Sequence, residues 1–304
     1  MKKWLILGLL IISAPLLASC KQEEPKPEPT PTPYCKICGY EYNADAINDY
    51  NLVWSDEFDY EGLPESSKWD YDTGGSGFGN NELQYYTNNG NNAWVDGEKL
   101  IIEAKKEAYT SGDRTWNYTS ARLVTRNKAQ WKYGKIQVNA KVPTGRGSWP
   151  AIWMLPTNYI YGAWPNSGEI DIMEHVGYDP NRIHGSIHTQ AYNQKINTQK
   201  GGSKVVSDAT AAFHVYEIEW FPDQILFKID GVTYYRYRPL ALLAQPKNAH
   251  WPFDNPFHLL LNIAVGGDWG AVQGIDNDSF PWRMEVDYVR VYQSPTVQSL
   301  RRNQ

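Results

Sequence analysis

The sequence predicts an all-β protein whose main part is one antiparallel β-sandwich of the jelly-roll type. Three observations support this prediction. The chain carries 13 Trp and 21 Tyr, which suit pleated, half-buried surfaces. Several segments alternate between polar and apolar residues, and none shows a sustained apolar stripe of helical period. Gly- and Asn-rich loops, such as residues 74–81, separate these segments.

The composition excludes two broad classes of protein. Hydrophobic residues make up 41% of the 304 residues, which rules out disorder for most of the chain. The net charge is −5, and no basic block interrupts the globular part. A nucleic-acid partner is therefore not expected.

The N-terminal residues predict a bacterial lipoprotein signal. Lys2 and Lys3 precede an apolar run over residues 4–18, which is too short for an ordinary membrane span. The run ends in Leu-Ala-Ser-Cys at 17–20, which resembles the lipobox. We therefore predict a signal peptide over 1–19, a lipidated Cys20 and a membrane anchor. The alternative is a plain signal peptide with an incidental cysteine.

Residues 20–50 predict an extended tether and then a short linker that leads into the folded domain. Proline stands at every second position from 25 to 33, so residues 20–34 favour an extended chain of ~3.1 Å per residue. Residues 21–24 resemble the surface-export signal of Bacteroidota lipoproteins, which predicts a surface-exposed outer-membrane protein. Within the linker 35–50, Cys35 and Cys38 are half of a zinc site and favour a local disulfide instead.

The remaining chain, residues 51–293, predicts one domain of successive strands, followed by a tail over 294–304. Asp230-Gly231 is a strong hairpin signal. The apolar run 257–265 is typical of a strand buried on both faces, and the one helical candidate is a short turn at 240–244. The predicted strands include residues 135–142, 215–221, 225–229, 257–265 and 284–292.

Three carboxylates within six residues carry the candidate chemistry. In residues 168–175, strand alternation places Glu169 and Asp171 on one face. A β-bulge around Met173 would return Glu174 to the same face. The two glutamates could then converge to the ~5–5.5 Å of a retaining glycosidase pair. One would attack the anomeric carbon while the other protonates the leaving oxygen.

The competing interpretation is a polar strand face without function. Glu217 and Glu219 form such a pair, which we interpret as a polar, solvent-facing surface. The neighbours of the acid cluster favour function, because Trp149 and Trp153 lie four residues apart on a strand-like run just upstream.

At this point the sequence resembles family 16 of the glycoside hydrolases, in its laminarinase-like branch. The resemblance covers residues 51–293. It rests on the segments 79–87 (GNNELQYYT), 118–123 (YTSARL), 149–156 (WPAIWMLP), 168–175 (GEIDIMEH), 184–189 (HGSIHT), 266–270 (GGDWG) and 284–292 (MEVDYVRVY).

The resemblance implies a concanavalin A-like jelly roll with a substrate cleft on its concave face. It implies Glu169 as nucleophile, Asp171 as assisting acid and Glu174 as acid/base, with His188 beside the acid/base group. The expected substrate contacts are Asn80, Arg122, Trp149, Trp153, His188 and Trp269. His184 is interpreted as structural. Core packing is the alternative role of Trp149 and Trp153.

The resemblance implies no cofactor for catalysis but allows a structural calcium ion on the convex side. Its expected ligands are Glu57, Asp287 and a backbone oxygen near Gly97. Calcium prefers six to eight oxygen ligands, a number that the sequence alone does not supply.

The resulting hypothesis is a monomeric, endo-acting, retaining hydrolase of β-1,3-glucan or mixed-linkage β-1,3-1,4-glucan. The extra residue Met173 departs from the unbulged E-x-D-x-E motif of bacterial lichenases. Agarose and carrageenan stay open as substrates, although an acidic chain favours neutral sugars. Transglycosylation and a non-catalytic glycan-binding role are further alternatives. Other glycan-uptake surface proteins are expected partners.

Overall fold

The structure is a computed structural model that describes residues 40, 42–239 and 247–300. The predicted signal peptide, the lipidated Cys20, the tether, the Cys35–Cys38 pair and the helical turn at 240–244 lie outside these residues. Within the described residues, no helix is long and apolar enough to cross a membrane.

The described chain is built almost entirely of strands, as predicted. Its two α-helices are short, α1 (Gly267–Gly270) and α2 (Pro295–Ser299). The strands are β1 (Asn51–Asp56), β2 (Glu61–Gly62), β3 (Asp70–Tyr71), β4 (Tyr85–Thr87), β5 (Ala93–Asp96), β6 (Leu100–Ser111), β7 (Arg114–Val124), β8 (Gly134–Lys141), β9 (Ser148–Pro156), β10 (Glu169–Glu174), β11 (Arg182–His188), β12 (Lys200–Val205), β13 (His214–Trp220), β14 (Ile225–Ile229), β15 (Val232–Tyr237), β16 (Phe257–Val265) and β17 (Trp282–Gln293).

Two sheets pack face to face and meet through the β6–β7 hairpin. The front sheet runs in the order β12–β11–β10–β9–β16–β7–β3. The back sheet runs β15–β14–β13–β8–β17, and β1 and β6 share the far edge of β17. The pairings are antiparallel except for β4 against β7, which is parallel. The predicted β-sandwich is thus confirmed.

Period-two patterning places the core between the sheets. In β8 the burial alternates through all eight residues, with Ile136, Val138 and Ala140 inside. Strand β16 is buried along its whole length, as its continuous apolar run predicts. In the β14–β15 hairpin, Asp230 and Gly231 have φ values of 51° and 76°, as a type I′ turn requires.

The interpretation of Glu217 and Glu219 as a solvent-facing surface is wrong. Both side chains lie on the outer side of the back sheet, yet both are buried. Lys228 Nζ lies 2.8 Å from Glu219 and 3.7 Å from Glu217, and Gln137 donates a hydrogen bond to Glu217. The long neighbouring side chains cover the pair, which alternation alone does not reveal.

Both ends of the described chain pack onto the domain beyond the predicted 51–293 boundaries. Ala44 packs with Phe221, Leu226 and Val297 in a small apolar cluster. Tyr42 also donates a hydrogen bond to the fully buried carboxylate of Asp223. The packed unit therefore includes the segment before β1 and the helix α2.

Candidate active site

A β-bulge in β10 places the three acids on one face. Against β11, Asp171 pairs with Ser186 and Glu174 with His184, so two residues of β10 face one residue of β11. The two residues of the bulge, Ile172 and Met173, both have their side chains buried in the core. The bulge predicted around Met173 is therefore present, and Glu174 returns to the face of Glu169 and Asp171.

Each acid is held by a different hydrogen-bond donor. Trp164 Nε1 donates to Glu169 Oε2 at 2.8 Å, and Trp149 Nε1 donates to Glu174 Oε1 at 3.0 Å. Ser186 Oγ donates to Asp171 Oδ2 at 2.6 Å. The two indoles thus hold the outer carboxylates, and the Ser186 hydroxyl holds the central one.

His188 lies against Asp171 and Glu169, whereas the expected position was beside Glu174. Its Nε2 is 3.1 Å from Asp171 Oδ2 and 3.8 Å from Glu169 Oε1. The reason is register, because His188 is the cross-strand partner of Glu169. Burial alone would lower the pKa of His188, but its hydrogen bond with Asp171 and the surrounding carboxylates raise it to about 9. The ring is therefore an imidazolium at neutral pH.

Burial also raises the pKa values of Glu169 and Glu174 above that of an exposed glutamate. Burial, followed by the Asp171 charge, raises the pKa of Glu174 to about 8, so this group is protonated at neutral pH. Burial and Asp171 likewise hold the pKa of Glu169 above its usual range, and the His188 charge acts against them. A protonated Glu174 suits a general acid, and the His188 charge lowers the pKa of both glutamates.

The acids lie in the middle of a cleft on the outer face of the front sheet. One part, of about 230 Å³, is lined by Trp153, Arg122 and Tyr159. The other, of about 710 Å³, is lined by His184 and Trp269. Glu169 and Glu174 line both parts, as do Asn80 and Trp149. The expected substrate contacts thus all lie in the cleft.

Aromatic rings form the walls on both sides of the acids. The Trp149 and Trp269 rings meet edge to face at 5.6 Å, and the His184 ring meets Trp269 at 4.9 Å. Trp153 Nε1 donates to Asn262 Oδ1 at 2.7 Å, and the Arg122 guanidinium lies 4.7 Å from the Trp153 ring. His184 thus lines the cleft and packs against Trp269, and its interpretation as structural stays a prediction.

Two positioning residues were missed by sequence reasoning. Ser186 could have been found, since alternation along β11 puts it on the same face as His184 and His188. Trp164 lies in the loop before β10, where no periodicity reports side-chain direction. Its indole reaches Glu169 only because the loop folds back over the strand.

Two of the expected calcium ligands, Glu57 and Asp287, have hydrogen-bond partners within the protein. Arg290 binds both carboxylate oxygens of Glu57, the closest contact being 2.7 Å. Asp287 accepts a hydrogen bond from Asn139 at 2.8 Å, and the Gly97 N–H donates to the Tyr60 carbonyl. In the structure, the Glu57 carboxylate is therefore paired with the Arg290 guanidinium.

Comparisons with known proteins agree with this geometry. Residues 79–290 match the family model "Glycosyl hydrolases family 16". The chain belongs to glycoside hydrolase family 16. This family 16 enzyme is 54% identical over 263 residues to a β-glucanase of Rhodothermus marinus, covering 85% of this chain and 90% of that protein.

Solved structures in the same family have the same fold. The laminarinase from Rhodothermus marinus superposes with a TM-score of 0.78 at 55% identity, covering 81% of this chain and 98% of that one. A non-specific endo-β-1,3(4)-glucanase of family 16 superposes with a TM-score of 0.77 at 46% identity, covering 82% and 97%. That structure presents a 1,3-β-D-cellobiosyl-glucose at its active site. The chain is accordingly an endo-acting β-glucanase.

We predict that Trp149→Phe shifts the alkaline limb of the pH–rate profile to higher pH. Glu174 must be protonated to act as an acid, so kcat/KM should fall as the pH rises through about 8. The Trp149 N–H lowers the pKa of Glu174, and its loss should raise that pKa. The rate itself should fall roughly three- to tenfold with the lost hydrogen bond.

The matched control is Trp153→Phe, because the Trp153 N–H binds Asn262 rather than one of the three acids. Its alkaline limb should stay at the wild-type position in kcat/KM profiles on a soluble glucan. A Trp149→Phe limb that is unchanged, or moves to lower pH, would contradict the assignment of Glu174.

Proposed function

We propose that this enzyme hydrolyses internal bonds of β-1,3-glucan and mixed-linkage β-1,3-1,4-glucan with retention of configuration. The observation that carries the proposal is the bulge in β10, which aims Glu169 and Glu174 into one cleft with Asp171 between them. Retaining chemistry needs two carboxyl groups at close range, one ionised and one protonated.

The proposed reaction has two steps. A Glu169 oxygen attacks the anomeric carbon while Glu174 gives its proton to the leaving glycosidic oxygen, so a glycosyl-enzyme ester forms and the leaving chain departs as an alcohol. Glu174, now ionised, takes a proton from water, whose oxygen displaces Glu169. The His188 imidazolium, held by Asp171 at 3.1 Å, offsets the negative charge of Glu169 when this group is ionised.

The charges of the cleft support a neutral glucan over an anionic galactan. Arg122 is paired with Asp72 at 3.2 Å, and Lys195 lies over the Trp164 ring at 5.0 Å. The acids Glu169 and Asp171 face the cleft. Sulfate groups would meet these carboxylates at short range. Trp149 and Trp269, whose rings pack against each other, offer flat apolar surfaces of the kind that stack on glucose rings.

A parallel incubation with laminarin, barley mixed-linkage glucan, agarose and carrageenan tests the substrate class. We expect short oligosaccharides from the first two polymers and none from the others.

Glu169→Ser should abolish turnover, since a hydroxyl at that position is too short to reach the sugar, while circular dichroism stays native. Cleavage of agarose without cleavage of either glucan, or more than a few per cent residual activity in Glu169→Ser, would contradict the proposal.

We further propose that the enzyme is a surface-exposed outer-membrane lipoprotein, anchored through Cys20 and acting as a monomer beside other glycan-uptake proteins. The support is the lipobox-like segment 17–20 and the proline-rich tether. Cys20→Ala should release the protein from the membrane fraction, because no acyl chain could be attached. Cys35→Ala is the matched control and should stay with the membranes. Unchanged fractionation of Cys20→Ala would refute the anchor.

A structural calcium ion is a separate proposal, and it requires Glu57 to leave Arg290. Calcium held by Glu57, Asp287 and a Gly97 backbone oxygen would stabilise the folded state by mass action. Adding calcium should then raise the Tm of the wild type but not that of Asp287→Ala. A wild-type Tm that does not respond at about 10 mM calcium, well above the ~0.1–1 mM affinity of extracellular sites, would exclude the ion.

A further inference from the structure

A second groove lies outside the catalytic cleft, at the edge of the sandwich beside β1. It has a volume of about 640 Å³. Its walls come from the β7–β8 connection, the end of β9 and the edge strand β1. The residues used in the argument are Trp54, Trp131, Asn127, Gln130, Thr157 and Asn158.

The lining has the chemistry of a site for neutral sugars. Trp54 and Trp131 meet edge to face at 5.3 Å and form an aromatic side. The polar side consists of amides and a hydroxyl, and Thr157 Oγ1 is buried without a hydrogen-bond partner among the described residues. No carboxylate lines this groove, and Lys128 is its one charged lining residue. Amides and hydroxyls match sugar hydroxyls, whereas the near absence of charge disfavours ionic ligands.

Neighbouring residues of the loop after β9 line the groove and one end of the catalytic cleft. Thr157 and Asn158 line the groove, and Tyr159 lines the cleft at the end away from Trp269. The Cα atoms of Thr157 and Tyr159 are at most about 7 Å apart, since only one residue separates them in the chain. Tyr159 itself is 47% exposed.

We propose that this groove is a second binding site for the neutral glucan chain whose internal bonds the cleft cuts. The inference rests on the proposed function, since the occupant is the same polymer. A chain held at both places gains affinity because the second contact is intramolecular. A short oligosaccharide that fills only the cleft gains nothing from it.

The test compares Gln130→Ala/Asn158→Ala with the matched surface pair Asn88→Ala/Asn91→Ala. All four amides are exposed, and the control pair lines neither the groove nor the cleft. Each pair is placed in the full chain carrying Glu169→Ser, which prevents cleavage. Affinity is measured for laminarin and for a short β-1,3-gluco-oligosaccharide, and kcat/KM is measured for both ligands with Glu169 restored.

The groove variant should bind laminarin at least about fivefold more weakly, the loss expected for two hydrogen-bonding amides, and should keep oligosaccharide binding and turnover. The control should match its parent on both ligands. Unchanged laminarin affinity in the groove variant overturns the proposal and leaves the groove to another ligand class. Equal losses on both ligands also overturn it, since the cleft would then be affected. If wild type cleaves neither ligand, the proposed function fails, and this inference with it.

Discussion

The active site depends on one irregularity of the backbone, the bulge at Ile172 and Met173. Side chains of a regular strand alternate strictly, so an unbulged β10 would turn Glu174 toward the core. The inserted residue lets two apolar side chains enter the core in succession and restores the alternation after them. The bulge therefore serves both the packing of the core and the orientation of the three acids. Deleting Met173 would remove a buried side chain and give the unbulged E-x-D-x-E spacing, in which strict alternation alone keeps the second glutamate on the acid face.

Burial of several ionisable groups makes the site electrostatically demanding. Carboxylates in a low-dielectric cleft resist ionisation, and their proximity strengthens this resistance. The His188 imidazolium offsets part of it and lies nearest Asp171 and Glu169. Glu174, further along the strand, is held by a neutral indole and a hydroxyl. Each glutamate accepts a hydrogen bond from an indole, but only Glu169 lies within 4 Å of the His188 ring.

Much of the fold follows from period-two patterning and turn chemistry, as in β8, β16 and the Asp230-Gly231 hairpin. The acid face was also predictable, because the apolar pair Ile172 and Met173 indicates where alternation must slip. Other features depend on contacts between distant segments. Alternation assigns Glu217 to an outer face but does not say that Lys228 covers it. Equally, nothing local to Trp164 indicates that its loop brings the indole to Glu169.

The central claim is that the bulge presents a nucleophile and an acid in retaining geometry. The most direct test is proton NMR of the first sugars released from a glucan, recorded before the anomers equilibrate. Double displacement through Glu169 predicts that the new reducing ends appear as the β-anomer and convert to the mixture afterwards. Initial appearance of the α-anomer would mean single displacement by water and would contradict the assignment of Glu169.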